Sequence, residues 1–182
     1  PDSPIVGTSS ARRKALIKAV RPDVVLKDIR GNVPTRLQKL KEGQFDAILL
    51  AIAGINRLEL DMSDFEMIRL NPKEFVPAPA QGVLTWQTKT DNMEVRITLR
   101  KIHRSDVLQC TNVERKVLRL LDGGCHLPLG VYCEADDMGY YHVCAILSGG
   151  LDQELNVVNL SSSTTKNLAE TIFAQLTQGV DL

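Results

Sequence analysis

Five arginines lie where short apolar runs give way to helical patterns in the first sixty residues. They are Arg12, Arg13, Arg30, Arg36 and Arg57. A cation in the first turn of a helix opposes the helix dipole by roughly 0.3–1 kcal/mol, so stability alone favours Asp or Glu there. Guanidinium groups beside free backbone N–H groups and hydroxyls instead suit a ligand that carries several carboxylates or phosphates.

Two explanations of these arginines are open at the level of sequence. In the first, each is solvated or paired with a nearby carboxylate, the candidates being Asp23, Asp28, Glu42 and Asp46. In the second, the five form one crevice for a polyanion, since a single negative charge would leave their guanidinium groups repelling one another. Clustering of all five at one edge of a sheet would favour the crevice.

Alternating strands and helices are the elements that would position these arginines. Apolar runs at 5–6, 24–26 and 47–50 are followed by helical patterns at 11–20, 34–41 and from about 53. This alternation predicts βαβ units with a parallel sheet, whose right-handed crossovers bring all three strand-to-helix junctions to its carboxyl edge. Open α/β sheets bind ligands at that edge.

The second half of the chain has a different pattern. After a proline-rich stretch with a short predicted strand at Val83–Trp86, the apolar spacing predicts a helix from about 103 to 121. Three strands are predicted at 129–135, 140–147 and 154–160, with a hairpin turn at 136–139 between the first two. A last helix, capped by Thr164 or Thr165, is predicted to run to about 178. This half is therefore expected to be a small antiparallel sheet packed by helices.

The loop Gly123-Gly124-Cys125-His126-Leu127-Pro128 is the second candidate site. Its glycines leave room beside the thiol, and His126 would lower the pKa of that thiol if the ring faced the sulfur. The alternative is a small buried hydrophobe, the commoner role for a cysteine between a helix and a strand. The other cysteines occupy apolar-periodic positions, and we assign them to packing: Cys110, Cys133 and Cys144.

Composition limits the classes of function. The 182 residues are 43% hydrophobic and 24% charged with zero net charge, which argues against disorder and against a general nucleic-acid binder. No apolar run reaches the roughly 18 residues of a membrane span. The spacing of cysteine and histidine matches neither a zinc site nor a redox pair, so we expect no metal and a reducing, cytoplasmic compartment. Residues 1–60 carry 11 Lys and Arg against 6 Asp and Glu, which suits an anionic ligand.

An ordered set of motifs carries a family resemblance. They are Gly7-Thr8-Ser9-Ser10-Ala11-Arg12-Arg13, Arg30-Gly31-Asn32-Val33-Pro34-Thr35-Arg36-Leu37, residues 46–54, Arg57-Leu58, Pro79-Ala80-Gln81-Gly82 and residues 114–130 with the cysteine loop. Together the motifs resemble the porphobilinogen deaminases, also called hydroxymethylbilane synthases, of tetrapyrrole biosynthesis. The resemblance covers residues 5–130 well and the remainder weakly.

The resemblance implies a domain organisation. Residues 1–74 would be the family's second domain, a periplasmic-binding-protein-like α/β unit. Residues 75–100 would cross back to complete the first domain, and residues 101–182 would be the α+β third domain that bears the cofactor cysteine. The first domain, which carries the catalytic aspartate, would be this chain's missing partner, so the resemblance implies no catalytic residue within the 182. A monomer is expected.

The resemblance also implies a chemistry. Family members carry a dipyrromethane cofactor in thioether linkage to the loop cysteine, here Cys125. They polymerise porphobilinogen, with loss of ammonia, through polypyrrole intermediates into hydroxymethylbilane. The carboxylates of these pyrroles would be bound by a set of residues in this chain: Arg12, Arg13, Arg30, Arg36, Arg57, Ser9, Ser10 and Gly54. The alternative function is a non-catalytic anion-binding module that keeps the same fold.

Overall fold

The structure, a computed structural model, describes residues 2–122, 127–150 and 154–179. Its first half contains β1 (Ile5–Gly7), α1 (Ala11–Val20), β2 (Val25–Lys27), α2 (Val33–Lys41), β3 (Ala47–Ile48) and α3 (Ile52–Arg57). Its second half contains α4 (Met93–Arg100), α5 (Ser105–Leu120), β4 (Leu129–Ala135), β5 (Tyr141–Ser148), β6 (Leu155–Ser162) and α6 (Leu168–Leu176). The predicted fold class, a parallel βαβ sheet followed by an antiparallel sheet with helices, is confirmed.

The first sheet is parallel, with strand order β2-β1-β3. Val6 on the central strand lies opposite Leu26 on one side and Ala47 on the other. Two of the following helices begin with side-chain caps. The Ser10 hydroxyl accepts from the Arg13 N–H at the start of α1, and the Asn32 side chain accepts from the Thr35 N–H at the start of α2. These caps satisfy N–H groups that a first helical turn leaves without partners, and they fix where each junction ends.

The second sheet is antiparallel, with strand order β4-β5-β6. Its central strand, β5, has buried residues on both faces. Alternate residues such as Val143 and Ala145 face a core formed with α5 and α6. Their neighbour Ile146 packs on the other face against Leu16 of α1 and Val76. The period of two along a strand therefore places one residue set in the second half's own core and the other against the first half.

Three local predictions were wrong. The stretch Val83–Trp86 is irregular, and Leu84 and Trp86 are exposed, so these β-prone side chains have no sheet surface to pack on. The third strand ends at Ile48, and the carbonyl of the next residue, Leu49, accepts from the Arg13 side chain. The last helix begins at Leu168 after Asn167, whose φ is 57°, since the Thr164 hydroxyl instead accepts from the Lys166 N–H in the preceding turn.

Helix α4 is an element that the sequence analysis did not predict. It lies on the surface, and each of its eight residues is at least partly exposed. Its apolar side chains join an exposed apolar stretch at residues 84–102, including Trp86, Ile97 and Ile102. Within the described ranges, the structure has no helix that combines the length and the apolar character needed to cross a membrane.

Candidate functional site

The junction after β1 is tied to the junction after β2 by one serine. The Ser9 hydroxyl donates to the Ile29 carbonyl at 2.9 Å, and its oxygen accepts from the Ile29 N–H at 3.1 Å. Thr8 beside it is 2% exposed, and its hydroxyl oxygen accepts from the Ser10 N–H at 3.3 Å. The hydroxyls of Ser9 and Ser10 therefore already form hydrogen bonds within the loops, which leaves them only partly available to a ligand.

Arg13 ties the same junction to the one after β3. Its Nη1 donates to the Leu49 carbonyl at 2.9 Å. Burial lowers the pKa of Arg13, and the nearby charge of Arg36 lowers it further. The Arg36 guanidinium is held by the Gly31 carbonyl, to which its Nε donates at 2.8 Å. Two half-buried cations from two junctions thus face one another across the carboxyl edge of the sheet.

Arg12 points away from solvent and is 6% exposed. Its Nη1 donates to the Val76 carbonyl at 2.5 Å, and its Nη2 donates to Gln81 Oε1 at 3.3 Å. Burial lowers the pKa of Arg12 to about 10, and the charge of Arg13 adds to this shift. Arg12, Arg13 and Arg36 form a chain of like charges whose described acceptors are neutral oxygens.

The carboxylates named above as candidate partners of these arginines bind other groups. Asp23 pairs with Arg21 at 2.6 Å, and Asp28 pairs with Lys14 at 2.5 Å. Asp46 accepts from the Ile5 N–H at 2.7 Å. Glu42 accepts from the side chains of Gln38 and Gln44. In the described part of the chain, the ion pairs include none of the five edge arginines.

Two of the predicted arginines are less closely joined to this group. Arg30 is exposed at the end of the second junction, on the same edge as Arg36. Arg57 is the last residue of α3, about 8 Å along the helix axis from its first residue, where a cation interacts favourably with the helix dipole. Gly54, also predicted at the site, lies within α3 and is half-buried; a Cβ there would meet Val33 at 3.4 Å.

The predicted cofactor cysteine, Cys125, and His126 lie outside the described residues. The assignment of the other cysteines to packing is confirmed. Cys110 and Cys133 belong to the core between α5 and β4, and the half-buried Cys144 packs against the second cluster. Burial raises the pKa of all three thiols. Among the described residues, His, Cys, Asp and Glu side chains form no group of three that would hold a metal ion.

Sequence reasoning gave no role to one buried carboxylate. Glu114 is 7% exposed in the middle of α5. Its Oε2 accepts from the Ala80 N–H at 2.7 Å, and its Oε1 accepts from the Cys133 N–H at 2.8 Å. Burial raises the pKa of Glu114, against the lowering effect of these two N–H donors. The available signal was its spacing, because Glu114 falls on the same helical face as the apolar Cys110 and Val117.

Comparisons with known proteins bear on this arrangement of arginines at a sheet edge. The family model described as "Porphobilinogen deaminase, dipyromethane cofactor binding domain" matches residues 1–97. A second model, "Porphobilinogen deaminase, C-terminal domain", matches residues 108–151. The chain belongs to the porphobilinogen deaminase family. This family acts in tetrapyrrole biosynthesis and binds porphobilinogen, so the resemblance found in the motifs is confirmed.

Curated porphobilinogen deaminases match most of this chain. The protein from Sulfurimonas denitrificans is 40% identical over 172 residues, which cover 94% of this chain and 54% of the relative. A probable porphobilinogen deaminase from Hyperthermus butylicus is 43% identical over 148 residues, 81% of this chain and 48% of the relative. The Fusobacterium nucleatum protein is 43% identical over 136 residues, 75% and 45% respectively. The chain therefore spans about half the length of these relatives.

Proposed function

We propose that this chain is the cofactor-binding part of a hydroxymethylbilane synthase. In this function it holds a dipyrromethane cofactor, and the polypyrrole that grows from it, while porphobilinogen is polymerised with loss of ammonia. The observation that carries the proposal is the set of mutually repelling cations at the sheet edge: Arg12, Arg13 and Arg36, whose described partners are neutral oxygens. Holding such charges together without a polyanion to bind costs free energy.

The described residues fit a ligand of this class. A pyrrole with acetate and propionate side chains offers several carboxylates, and guanidinium groups bind carboxylates through short charge-assisted hydrogen bonds. Arg13 and Arg36 project from two different junctions, so each can bind a separate carboxylate. Arg30 and Arg57 are exposed and free to add charge at the rim. When bound, the cofactor supplies the pyrrole carbon to which the next pyrrole is joined; the chain's own residues bind and orient its carboxylates.

We also propose that Cys125 carries this cofactor through a thioether. The proposal is supported by the family match and by the assignment of the other three thiols to packing, since buried thiols of raised pKa are poor nucleophiles. Along the sequence, Cys125 follows α5, so the proposed attachment point belongs to the second half of the chain.

The attachment is tested by intact-mass spectrometry of the chain after incubation with porphobilinogen and the N-terminal domain of a full-length relative, because the groups that condense porphobilinogen are proposed to lie in that domain. We expect a mass increase of one dipyrromethane, mapped by peptide digestion to Cys125. The Cys125→Ser chain is the matched control and should stay at its unmodified mass. An equal mass increase in that variant, or an adduct mapped to Cys110, Cys133 or Cys144, contradicts the attachment.

By themselves, the 182 residues are expected to form no hydroxymethylbilane. Two observations support this expectation. The relatives are about twice as long as this chain, and no segment of the 182 residues resembles the family's site with the catalytic aspartate. The family's N-terminal domain is the proposed partner, and the exposed apolar stretch at residues 84–102 with α4 is the surface on which we expect it to pack. The cytoplasm is the proposed compartment.

Bilane formation from porphobilinogen tests this expectation, with the full-length Sulfurimonas denitrificans relative assayed in parallel. The relative should turn over and the 182-residue chain should not. Sustained bilane formation by the chain alone would show that these residues contain the catalytic groups, and the proposed division of labour would be wrong.

A further inference from the structure

A short segment between the two sheets is gripped from the first half by Arg12. We call residues 75–81 the strap. Arg12 holds both ends of it, because Nη1 donates to the Val76 carbonyl and Nη2 to the Gln81 side chain. Val76 is 2% exposed and packs against Leu16 of α1. The buried guanidinium of Arg12 therefore fixes the strap to α1, the helix that also carries Arg13.

The second half grips the same strap from the other side. The Val131 N–H on β4 donates to the Pro77 carbonyl at 3.0 Å. Glu114 on α5 accepts from the Ala80 N–H, and its other oxygen accepts from the Cys133 N–H on β4. Gly130 makes this approach feasible, since a Cβ at that position would meet the Val76 carbonyl oxygen at 2.9 Å. A buried cation and a buried anion thus hold one strap between them.

The strap is strained at the residue that Glu114 holds. Ala80 has φ 61°, in the left-handed region that residues with a Cβ rarely adopt. Such a conformation persists only where the surroundings impose it. A cavity of about 250 Å³, lined in part by Ala78, Gln81 and Glu114, lies between the strap, α5 and β4. The left-handed conformation of Ala80 favours relaxation of the strap, and the cavity gives it space in which to move.

We propose that Arg12 and Glu114 are positioning residues that act on each other through the strap, and that a polycarboxylate bound at Arg13 and Arg36 tightens the strap. Both terminal nitrogens of Arg12 are occupied, so an incoming anion meets Arg13 and Arg36 first. Its negative charge offsets the repulsion between Arg13 and Arg12, which makes the buried position of Arg12 less costly. By linkage, a tight strap then favours anion binding. This ligand-dependent half rests on the proposed function, whereas the coupling of Arg12 to Glu114 does not.

The ligand-free half is tested by amide hydrogen exchange on the 182-residue chain carrying Arg12→Met. We expect exchange at the Ala80 and Cys133 amides, both bound to Glu114, to speed up about tenfold, as loss of roughly one hydrogen bond would cause. The Ala145 amide, in the middle of β5, should keep its rate. Arg36→Met is the matched control, because Arg36 is also at the crevice but donates to its own loop, and it should leave the Cys133 amide unchanged.

A purely local role for Arg12 would speed exchange in α1 and leave the Cys133 amide as it was, and that result overturns the coupling. If Arg12→Met does not fold, Gln81→Ala replaces it. This variant removes one acceptor of Arg12 from an exposed residue. It should speed exchange at Cys133 in the same direction by a smaller factor, and an unchanged rate there equally overturns the proposal.

The ligand-dependent half uses a dipyrromethane that bears two acetates and two propionates. Calorimetry first establishes binding, and exchange is then measured at saturation. Slower exchange at Ala80 and Cys133 in the parent chain, absent from Arg12→Met, supports tightening. Binding without slower exchange overturns tightening. Failure to bind rejects the proposed function and with it the tightening, while the ligand-free result still decides whether Arg12 and Glu114 are coupled.

Discussion

Glu114→Ala is expected to lower the free energy of unfolding by about 2–5 kcal/mol. The substitution leaves two N–H donors, those of Ala80 and Cys133, without their acceptors, and each buried donor without a partner costs about 1–3 kcal/mol. It also releases Ala80 from the bond that holds its left-handed conformation. Urea unfolding followed by far-ultraviolet circular dichroism measures the change as a lower midpoint.

A second carboxylate on α5 is the matched control. Asp106 is exposed and pairs with Arg104 at 2.6 Å on the surface, where such pairs add little to stability. Asp106→Ala should leave the urea midpoint nearly unchanged. If the two variants shift the midpoint equally, the loss reflects helix α5 in general, and the specific anchoring of the strap by Glu114 is refuted.

Replacing Arg13 and Arg36 together by alanine is expected to weaken binding of the tetracarboxylate dipyrromethane about 100-fold or more. Each substitution removes a hydrogen-bonded charge, worth about 1.5–3 kcal/mol against a carboxylate, and 1.4 kcal/mol corresponds to tenfold in affinity. Isothermal titration calorimetry of the 182-residue chain measures the loss. Neither guanidinium forms an ion pair with the described carboxylates, so this change breaks no salt bridge.

The control for this pair keeps the change in net charge the same. Arg104 and Arg119 are exposed on α5 or at its start, away from the sheet edge. Their double alanine variant should bind the dipyrromethane within a few-fold of the parent chain, because distant surface charges are screened by salt. Equal losses from the two pairs would mean that affinity follows overall charge, and the crevice would lose its support.

The elements of this fold follow the sequence where local and tertiary preferences agree. The helices after β1 and β2 have serine and asparagine caps, and the strands of the second sheet alternate between two buried faces. The wrong predictions fall where the conformation depends on contacts with other parts of the fold. Val83–Trp86 has β-prone side chains but no described strand beside it, and Thr164 uses its hydroxyl in a turn before the helix it was expected to cap.

The sequence by itself determined the family and the fold class, because ordered motifs and the alternation of strands and helices are local along the chain. Only the tertiary structure distinguished the arginines from one another. Arg12 is buried against the strap, because partners 64 or more residues away along the chain hold it, whereas Arg13 and Arg36 are half-buried and donate to carbonyls of the strand-to-helix junctions. The tertiary structure also decided the role of Glu114. A buried carboxylate needs hydrogen-bond donors, and the donors that folding brings to Glu114 are the N–H groups of Ala80 and Cys133.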